Sequence, residues 1–421
     1  VSNLCVLVLG SGGREHALAR GLVADPTVAE VHVAPGNPGT AAIATNHDID
    51  PLNAEAVISL AKEIGATFVV VGPEAPLAAG IADALLEANI AVFGPTKAAA
   101  QLETSKSFAK HVMAEAGVPT GRSFTCETEE QVAHALSELG APYVVKHDGL
   151  AAGKGVIVTS DLEEAIDHAA KADRVVIEEF LDGPELSLFV ITDGQYALPM
   201  MPAQDFKREG DGDQGRNTGG MGAYSPLPWL PETTVDEVIE KVATPTLDYL
   251  RAQGTPFVGL LYIGLALTKD GPKVIEFNAR FGDPETQVLI PTLVTPLGQV
   301  LHAAATGRLA DFGRIIFEGA AVGVVMAAEG YPGTPNKGCH IDLPPDDENA
   351  HIIQAGTSRD PDGDLIADGG RVLTVVGCGS DVKTARKNAY QRVDLVDFVD
   401  GVYRSDIASD KKLSGAGLLK G

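Results

Sequence analysis

The chain has 421 residues, too many for one hydrophobic core, and typical domain sizes predict roughly two to four packed units. Hydrophobic residues make up 45% of it and charged residues 21%, a balance that excludes a disordered chain. The formal charge of −25 argues against nucleic acid or an anionic membrane as partner, since both need a basic surface. Small phosphorylated substrates stay possible, because a few local lysines, arginines and backbone amides suffice to hold them.

The opening run LCVLVLG is apolar but brief, lacks a basic flank and ends in glycines, so it reads as a buried strand and not as a signal peptide. No stretch approaches the ~20 apolar residues that span a bilayer. Apolar runs at 4–9, 31–34, 68–71 and 91–93 alternate with amphipathic stretches. This rhythm predicts a parallel sheet wrapped by helices, an N-terminal α/β domain over 1–103. Function is then expected at the carboxyl ends of the strands, which carry Gly10 to His16, Pro35 to Gly39, Gly72-Pro73-Glu74 and Gly94-Pro95.

From about Thr104 the pattern changes to a helix, SKSFAKHVMAEAG, and an extended linker through Val118-Pro119-Thr120. Strand YVVK (143–146), the turn DGLAAGKG, strand VIV (156–158), a helix over 162–172 and strand VVIEEFL (175–181) predict a small α+β lid over 121–186. A larger subdomain takes 104–120 and 187–317. Within it, residues 205–222 are crowded with Asp, Lys, Arg and Gly and lack periodicity, which suits a functional loop or a flexible linker. Beyond 317, the strands GAAVGVVMAA, IIQAG and GRVLTVVG and the helix DVKTARKNAYQRVDLVDF predict a C-terminal α+β domain over 318–421, frayed from 411 onward. Cys5, Cys126, Cys339 and Cys378 are far apart with no CxxC pair, so they are expected to be structural thiols of a cytoplasmic protein and indicate neither a zinc site nor a disulfide framework. No long heptad pattern appears, and a monomer is expected.

Two glycine loops invite nucleotide readings. Gly10, Gly12 and Gly13 follow a strand, but Glu15 stands where the dinucleotide fingerprint needs its last small residue, and the second strand ends in Ala34-Pro35 without a ribose-reading acid. What remains is a turn into a helix whose free N–H groups suit a phosphate, aided by Arg14, or a turn that merely needs small residues. The second loop, Gly149 to Gly155, has one residue too few between its glycines for a Walker A motif, lacks the Ser/Thr, and sits between strands. A glycine-rich hairpin tip there, with Lys154 in it and Lys146 ending the preceding strand, suits phosphates.

In Val274-Ile275-Glu276-Phe277-Asn278, strand alternation puts Glu276 and Asn278 on one face. Two oxygen ligands there suit Mg2+, which takes carboxylate and carbonyl oxygens plus substrate phosphates. Arg280 follows, with a fork able to hold a carboxylate or a phosphoryl group.

The lysine strand, glycine hairpin, IEEFL and ExN, in this order, resemble the ATP-grasp ligases. GSGGREHA (10–17), GPEAPLAAG (72–80), DGLAAGKGV (148–156), NTGGMGAYSP (217–226), ARFGDPETQ (279–287) and GGRVLTVVG (369–377) are similar to the phosphoribosylamine-glycine ligase family across nearly the whole chain. The resemblance implies ATP-dependent ligation of glycine to 5-phosphoribosylamine through glycyl phosphate, in purine biosynthesis, with Mg2+ or Mn2+. It implies Lys106, Lys146, Gly153, Lys154 and Gly155 at the ATP phosphates, Glu179, Phe180 and Leu181 at adenine, Glu185 at ribose, and Glu276 and Asn278 at the metal. Arg280, Asp205, Thr218, Gly220 and Met221 are implied around glycine and the acyl phosphate. Gly12, Gly13, Arg14, Asn37 and Glu74 are the candidates for phosphoribosylamine. The chain departs from the family pattern at His147, Phe206 and Arg216, and strand 259–268 has no acid to help hold a metal. The rivals are another ATP-grasp ligase such as a carboxylase, a non-catalytic nucleotide-binding protein on the same fold, and a dehydrogenase.

Overall fold

A computed structural model describes residues 3–150 and 155–410. The N-terminal strands Leu4–Gly10, Val28–Pro35, Thr45–Asn46, Phe68–Val71 and Val92–Phe93 form one parallel sheet in the order third, second, first, fourth, fifth. Its central strands are apolar on both faces because each face is covered: Leu7, Leu9, Val69 and Val71 pack to one side, Val6, Val8, Phe68 and Val70 to the other. The order reverses between the strands ending at Gly10 and Val71, which opens a crevice at their carboxyl ends. The edge strand Thr45–Asn46 was not foreseen, since two residues carry no periodic signal.

The lid is an antiparallel sheet in the order Ser123–Cys126, Val175–Glu178, Tyr143–His147, Val156–Thr159. The helices Glu129–Leu139 and Leu162–Ala169 bury Ala135, Leu136, Ala165 and Ala169 against it. Thr128 starts the first of these helices with a capping box to Gln131, and Asp161 accepts the N–H groups of Glu163 and Glu164 at the second. The strand expected over 175–181 ends at Glu178, where the Glu179 N–H turns to the Arg122 carbonyl.

The larger subdomain is built on the antiparallel sheet Ala197–Pro199, Glu185–Asp193, Val258–Thr268, Gly271–Asn278. The division expected at 186/187 falls inside the strand Glu185–Asp193, because Glu185 is already paired with Ala266. A second departure is larger. Gln204–Asp205 and Gly222–Ser225 join the C-terminal sheet, whose order is Gln204–Asp205, Gly222–Ser225, Ala320–Ala328, Arg371–Gly379, Ala350–Gln354. Backbone pairing with Ala320–Ala328 outweighs chain proximity here, and the two domains share a sheet.

The charged stretch between those strands is an ordered hairpin, Arg208–Gly210 with Gln214–Asn217. Arg404, fully buried, fixes it by donating to Asp213 Oδ1 at 2.9 Å, Asp406 Oδ2 at 2.7 Å and the Arg208 carbonyl at 3.1 Å. Phe206 lies under its guanidinium, 5.0 Å from Cζ to ring centroid, and Arg216 pairs with Glu209 at 2.8 Å. Two of the three departures from the family pattern, Phe206 and Arg216, are thus absorbed by local partners. No helix among the described residues is long and apolar enough to cross a membrane.

Candidate active site

The strand Gly271–Asn278 carries a bulge at Ile275, since Leu265 pairs with Val274 but Gly264 already pairs with Glu276. Strict alternation would put Val274 and Glu276 on one face. The bulge instead buries Val274 with Phe277 in the core and turns Glu276 and Asn278 to the opposite face. Opposite Glu276 stands Gly264, where a Cβ would lie 3.1 Å from Glu276 Cγ. Glycine there leaves room for the carboxylate. Burial alone would raise the Glu276 carboxyl, but Lys207, Lys146, Lys106 and Arg280 outweigh it and hold it below the usual carboxylate range.

Lys146 is buried near the end of its lid strand and donates to the Ile275 carbonyl at 3.0 Å, tying the lid to the strand Gly271–Asn278. Its other partner is Glu178 Oε1 at 2.9 Å, while Lys110 reaches Glu178 Oε2 at 2.8 Å. Burial raises the Glu178 carboxyl, and the two lysines override that to leave it lowered. Sequence reasoning passed over Glu178 and Lys110; the available signal was a carboxylate inside the apolar run Val175–Glu178.

Lys106 opens the helix Lys106–Glu115, capped by Ser105, and its Nζ donates to the Gly149 carbonyl at 2.9 Å. Asp148, also missed, accepts the N–H groups of Lys106 at 2.6 Å and Ser107 at 3.2 Å, which locks the helix start to the glycine turn. Burial lowers the Lys106 ammonium against the pull of Glu276. Gly153 and Lys154 lie outside the described residues. The Gly155 carbonyl accepts the His147 N–H at 2.7 Å, and the His147 ring stacks on His168 at 4.1 Å between centroids. Glu179, Phe180 and Leu181 form the passage from lid to larger sheet, with Phe180 exposed. Glu185 pairs with Lys207 at 3.0 Å, a lysine that sequence reasoning did not single out.

Arg280 sits between two carboxylates, Nη2 at 3.0 Å from Glu103 Oε1 and Nε at 3.3 Å from Glu74 Oε2. Glu103 was missed; its second oxygen accepts the Ala279 N–H at 2.8 Å. Just beyond, Arg371 donates to the Gly219 carbonyl at 2.7 Å and the Asp283 carbonyl at 2.8 Å, joining the 217–226 loop to the 279–287 turn. The two loops touch at Gly220 (φ +113°), where a Cβ would be 2.5 Å from Pro284 Cδ, so only glycine fits. Thr218 shapes the same loop by accepting the Gly220 N–H at 3.0 Å, and the Met221 N–H bonds the Phe206 carbonyl at 2.7 Å. Asp205 pairs with Ala223 on the adjoining strand, and burial raises its carboxyl although Lys207 opposes this. Glu285, buried and bonded by the Tyr262 hydroxyl at 3.0 Å, is pushed up to about 7 by burial and by Asp205.

In the N-terminal turn, expected either to hold a phosphate or merely to need small residues, part of the polar set is engaged internally. The Gly12 N–H is already taken by Glu15 Oε2 at 2.6 Å, and Arg14 Nε by Glu15 Oε1 at 2.6 Å. A Cβ at Gly10 or Gly72 would fall 2.6 Å from Glu15 Cγ, so these glycines make space for a buried carboxylate. Gly13 opens the helix Gly13–Ala24. The amide of Asn37 is committed on both ends, Nδ2 to the Ser11 and Gln354 carbonyls at 2.8 and 3.0 Å and Oδ1 to the Gly39 and Thr40 N–H groups. Glu74 reaches the 279–287 turn through Arg280, and Arg14 reaches it by donating to the Phe281 carbonyl at 3.2 Å.

These features are matched by three family models. Residues 4–103 match the phosphoribosylglycinamide synthetase N domain, 104–286 its ATP-grasp (A) domain and 321–410 its C domain. The chain belongs to the phosphoribosylglycinamide synthetase family. Among the family's members, it is 55% identical to a phosphoribosylamine-glycine ligase of Streptomyces coelicolor over 98% of this chain and 100% of that one. A Leifsonia xyli protein of the same name is 54% identical over 96% and 99%. The crystal structure of the phosphoribosylamine-glycine ligase from Thermotoga maritima superposes with a TM-score of 0.86 at 37% identity, covering 96% of this chain and 100% of that one. A biotin carboxylase domain from Hydrogenobacter thermophilus shares only the fold, at 17% identity and a TM-score of 0.73 over 99% and 96%.

Proposed function

We propose that this family member joins glycine to 5-phosphoribosylamine at the expense of ATP, in the cytoplasm and as a monomer. One observation carries the reading. Glu276 and Asn278 share a strand face, Glu276 feels Lys106 and Lys146, and their strand runs directly into the Arg280 turn that Arg371 binds to the 217–226 loop. Phosphate cations and a carboxylate-holding arginine thus stand on adjacent parts of one cleft.

The oxygen-only pair Glu276 and Asn278 fits a hard cation that keeps water and phosphate as its remaining ligands. Mg2+ (or Mn2+) held there supplies charge neutralisation to the ATP phosphates. Lys106 and Lys146 hold phosphate oxygens, and the lid passage at Glu179, Phe180 and Leu181 meets adenine, with Glu185 at the ribose. A glycine carboxylate oxygen attacks the γ-phosphorus, ADP leaves, and glycyl phosphate forms. The amine of 5-phosphoribosylamine then attacks the acyl carbon, phosphate leaves, and the surplus amine proton passes to phosphate or water. Arg280, held by Glu74, Glu103 and the Phe281 carbonyl, is the group assigned to the acyl phosphate, with Thr218, Gly220 and Met221 around glycine. Gly12, Gly13, Arg14, Asn37 and Glu74 frame the phosphoribosylamine side, where Glu15 and Asn37 act by shaping the backbone. Asp205 flanks the same wall.

The test is ADP release in the presence of glycine, phosphoribosylamine and Mg2+, omitting each in turn. Release that requires all of them supports the proposal, and release indifferent to glycine and phosphoribosylamine overturns it.

A further inference from the structure

The N-terminal sheet carries a second constellation at the end of its strands away from the cleft. Cys5 pairs with Glu30 across the first two strands, and His32 lies two positions further along, opposite Leu7. One ligand atom from each of Cys5, Glu30 and His32 falls within 4.8 Å of the others. His47 directly follows the third strand, Thr45–Asn46, and its Nε2 is 2.9 Å from His32 Nδ1. The His32 side chain is 12% exposed and that of Glu30 is 65% exposed, so the group is walled on one side and open to solvent on the other. Cys5 lies five strand steps before Gly10, about 17 Å at ~3.3 Å per step, which puts this cluster away from the carboxyl ends of the strands.

The donor types and their mutual geometry point to a metal site. We propose that Cys5 Sγ, a Glu30 carboxylate oxygen and His32 Nε2 bind a zinc-class divalent cation, with water in the fourth position. Thiolate, imidazole and carboxylate on three converging atoms suit Zn2+, whose sites take these ligands tetrahedrally, and they do not suit Mg2+, which avoids sulfur. His47 acts behind the ligands. By accepting the Nδ1 proton of His32 it holds the tautomer whose Nε2 lone pair faces Glu30, 3.3 Å away, and Cys5. Two anionic ligands and a neutral imidazole neutralise a dication. The bond that changes is Cys5 S–H: its proton, now directed at the Ile64 carbonyl 3.4 Å away, leaves to solvent as sulfur binds the cation.

The experiment uses the full chain with excess Mg2+ present and Co2+ as a spectroscopic probe, followed by Zn2+ competition. The expected result is a sulfur-to-cobalt charge-transfer band with tetrahedral d–d bands, displaced by Zn2+, with one proton released per cation. Cys5→Ser removes the charge-transfer band, and the exposed-site variant Glu30→Gln, which leaves the core untouched, weakens Zn2+ binding on the order of tenfold or more. His47→Gln weakens it by about 10–100-fold while keeping the band. Absence of the band in the parent chain, or a band and affinity indifferent to Cys5→Ser and Glu30→Gln, overturns the proposal. ADP formation stays unchanged in the Glu30 and His47 variants, so failure here is separable from failure of the ligase reading.

Discussion

The N-terminal glycine turn and the Gly271–Asn278 strand both look like nucleotide or phosphate sites in one dimension, and they are built on opposite principles. In the turn, polar groups are consumed internally: Glu15 takes the Gly12 N–H and the Arg14 guanidinium, and Asn37 spends its whole amide on neighbouring backbone. On the strand, a bulge lifts two oxygen donors out of the core to face lysines from other elements. The first region is bonded within itself, and the second turns a carboxylate to cations from other elements. A glycine-rich turn therefore says that something approaches closely, and here that something is a side chain of the protein itself.

The sharpest break between the two regions is Glu276→Ala, which should lower the rate of ADP formation on the order of 10³-fold with the melting profile retained. Glu178→Ala tests the support behind that surface. It strands Lys110 and Lys146 without their buried partner and should cost about 3–5 kcal/mol in urea denaturation, with Glu178→Gln costing less. Glu15→Ala probes the frame: the lost cap and Arg14 partner should lower stability by about 1–3 kcal/mol, while the magnesium dependence of ADP formation stays as it was. Arg371→Lys keeps the charge but cannot hold the Gly219 and Asp283 carbonyls through one nitrogen and the Asp283 carboxylate through a second, so the glycine KM should rise by about fivefold, equivalent to about 1 kcal/mol, in steady-state assays.

A further prediction concerns pH. With its folded value pushed up from 4.5 to about 7, Glu285 binds more protons in the folded than in the unfolded chain between those values. Stability from this group is present below 4.5 and is lost as pH climbs toward 7. Glu285→Gln cannot ionise and should flatten that part of the melting-temperature profile; an unchanged slope would contradict the assignment.

The sequence by itself determined the layered β-α-β opening, the lid strands, and the pair Glu276 and Asn278, because apolar period and strand alternation are local properties of the chain. It also held the ligand candidates at Lys106, Lys146 and Arg280, and the resemblance attached them to a family. Tertiary structure alone decided what each faces. The partners Glu178, Lys110, Glu103, Lys207 and Arg371 come from elements distant in the chain, and no periodicity marks them. The same holds for the strands Gln204–Asp205 and Gly222–Ser225, which leave their neighbours in sequence to pair in the C-terminal sheet. Cys5 illustrates the limit most plainly. Motif spacing sees ligands carried on one segment, whereas Cys5, Glu30, His32 and His47 meet only because three parallel strands bring them to one end of a sheet.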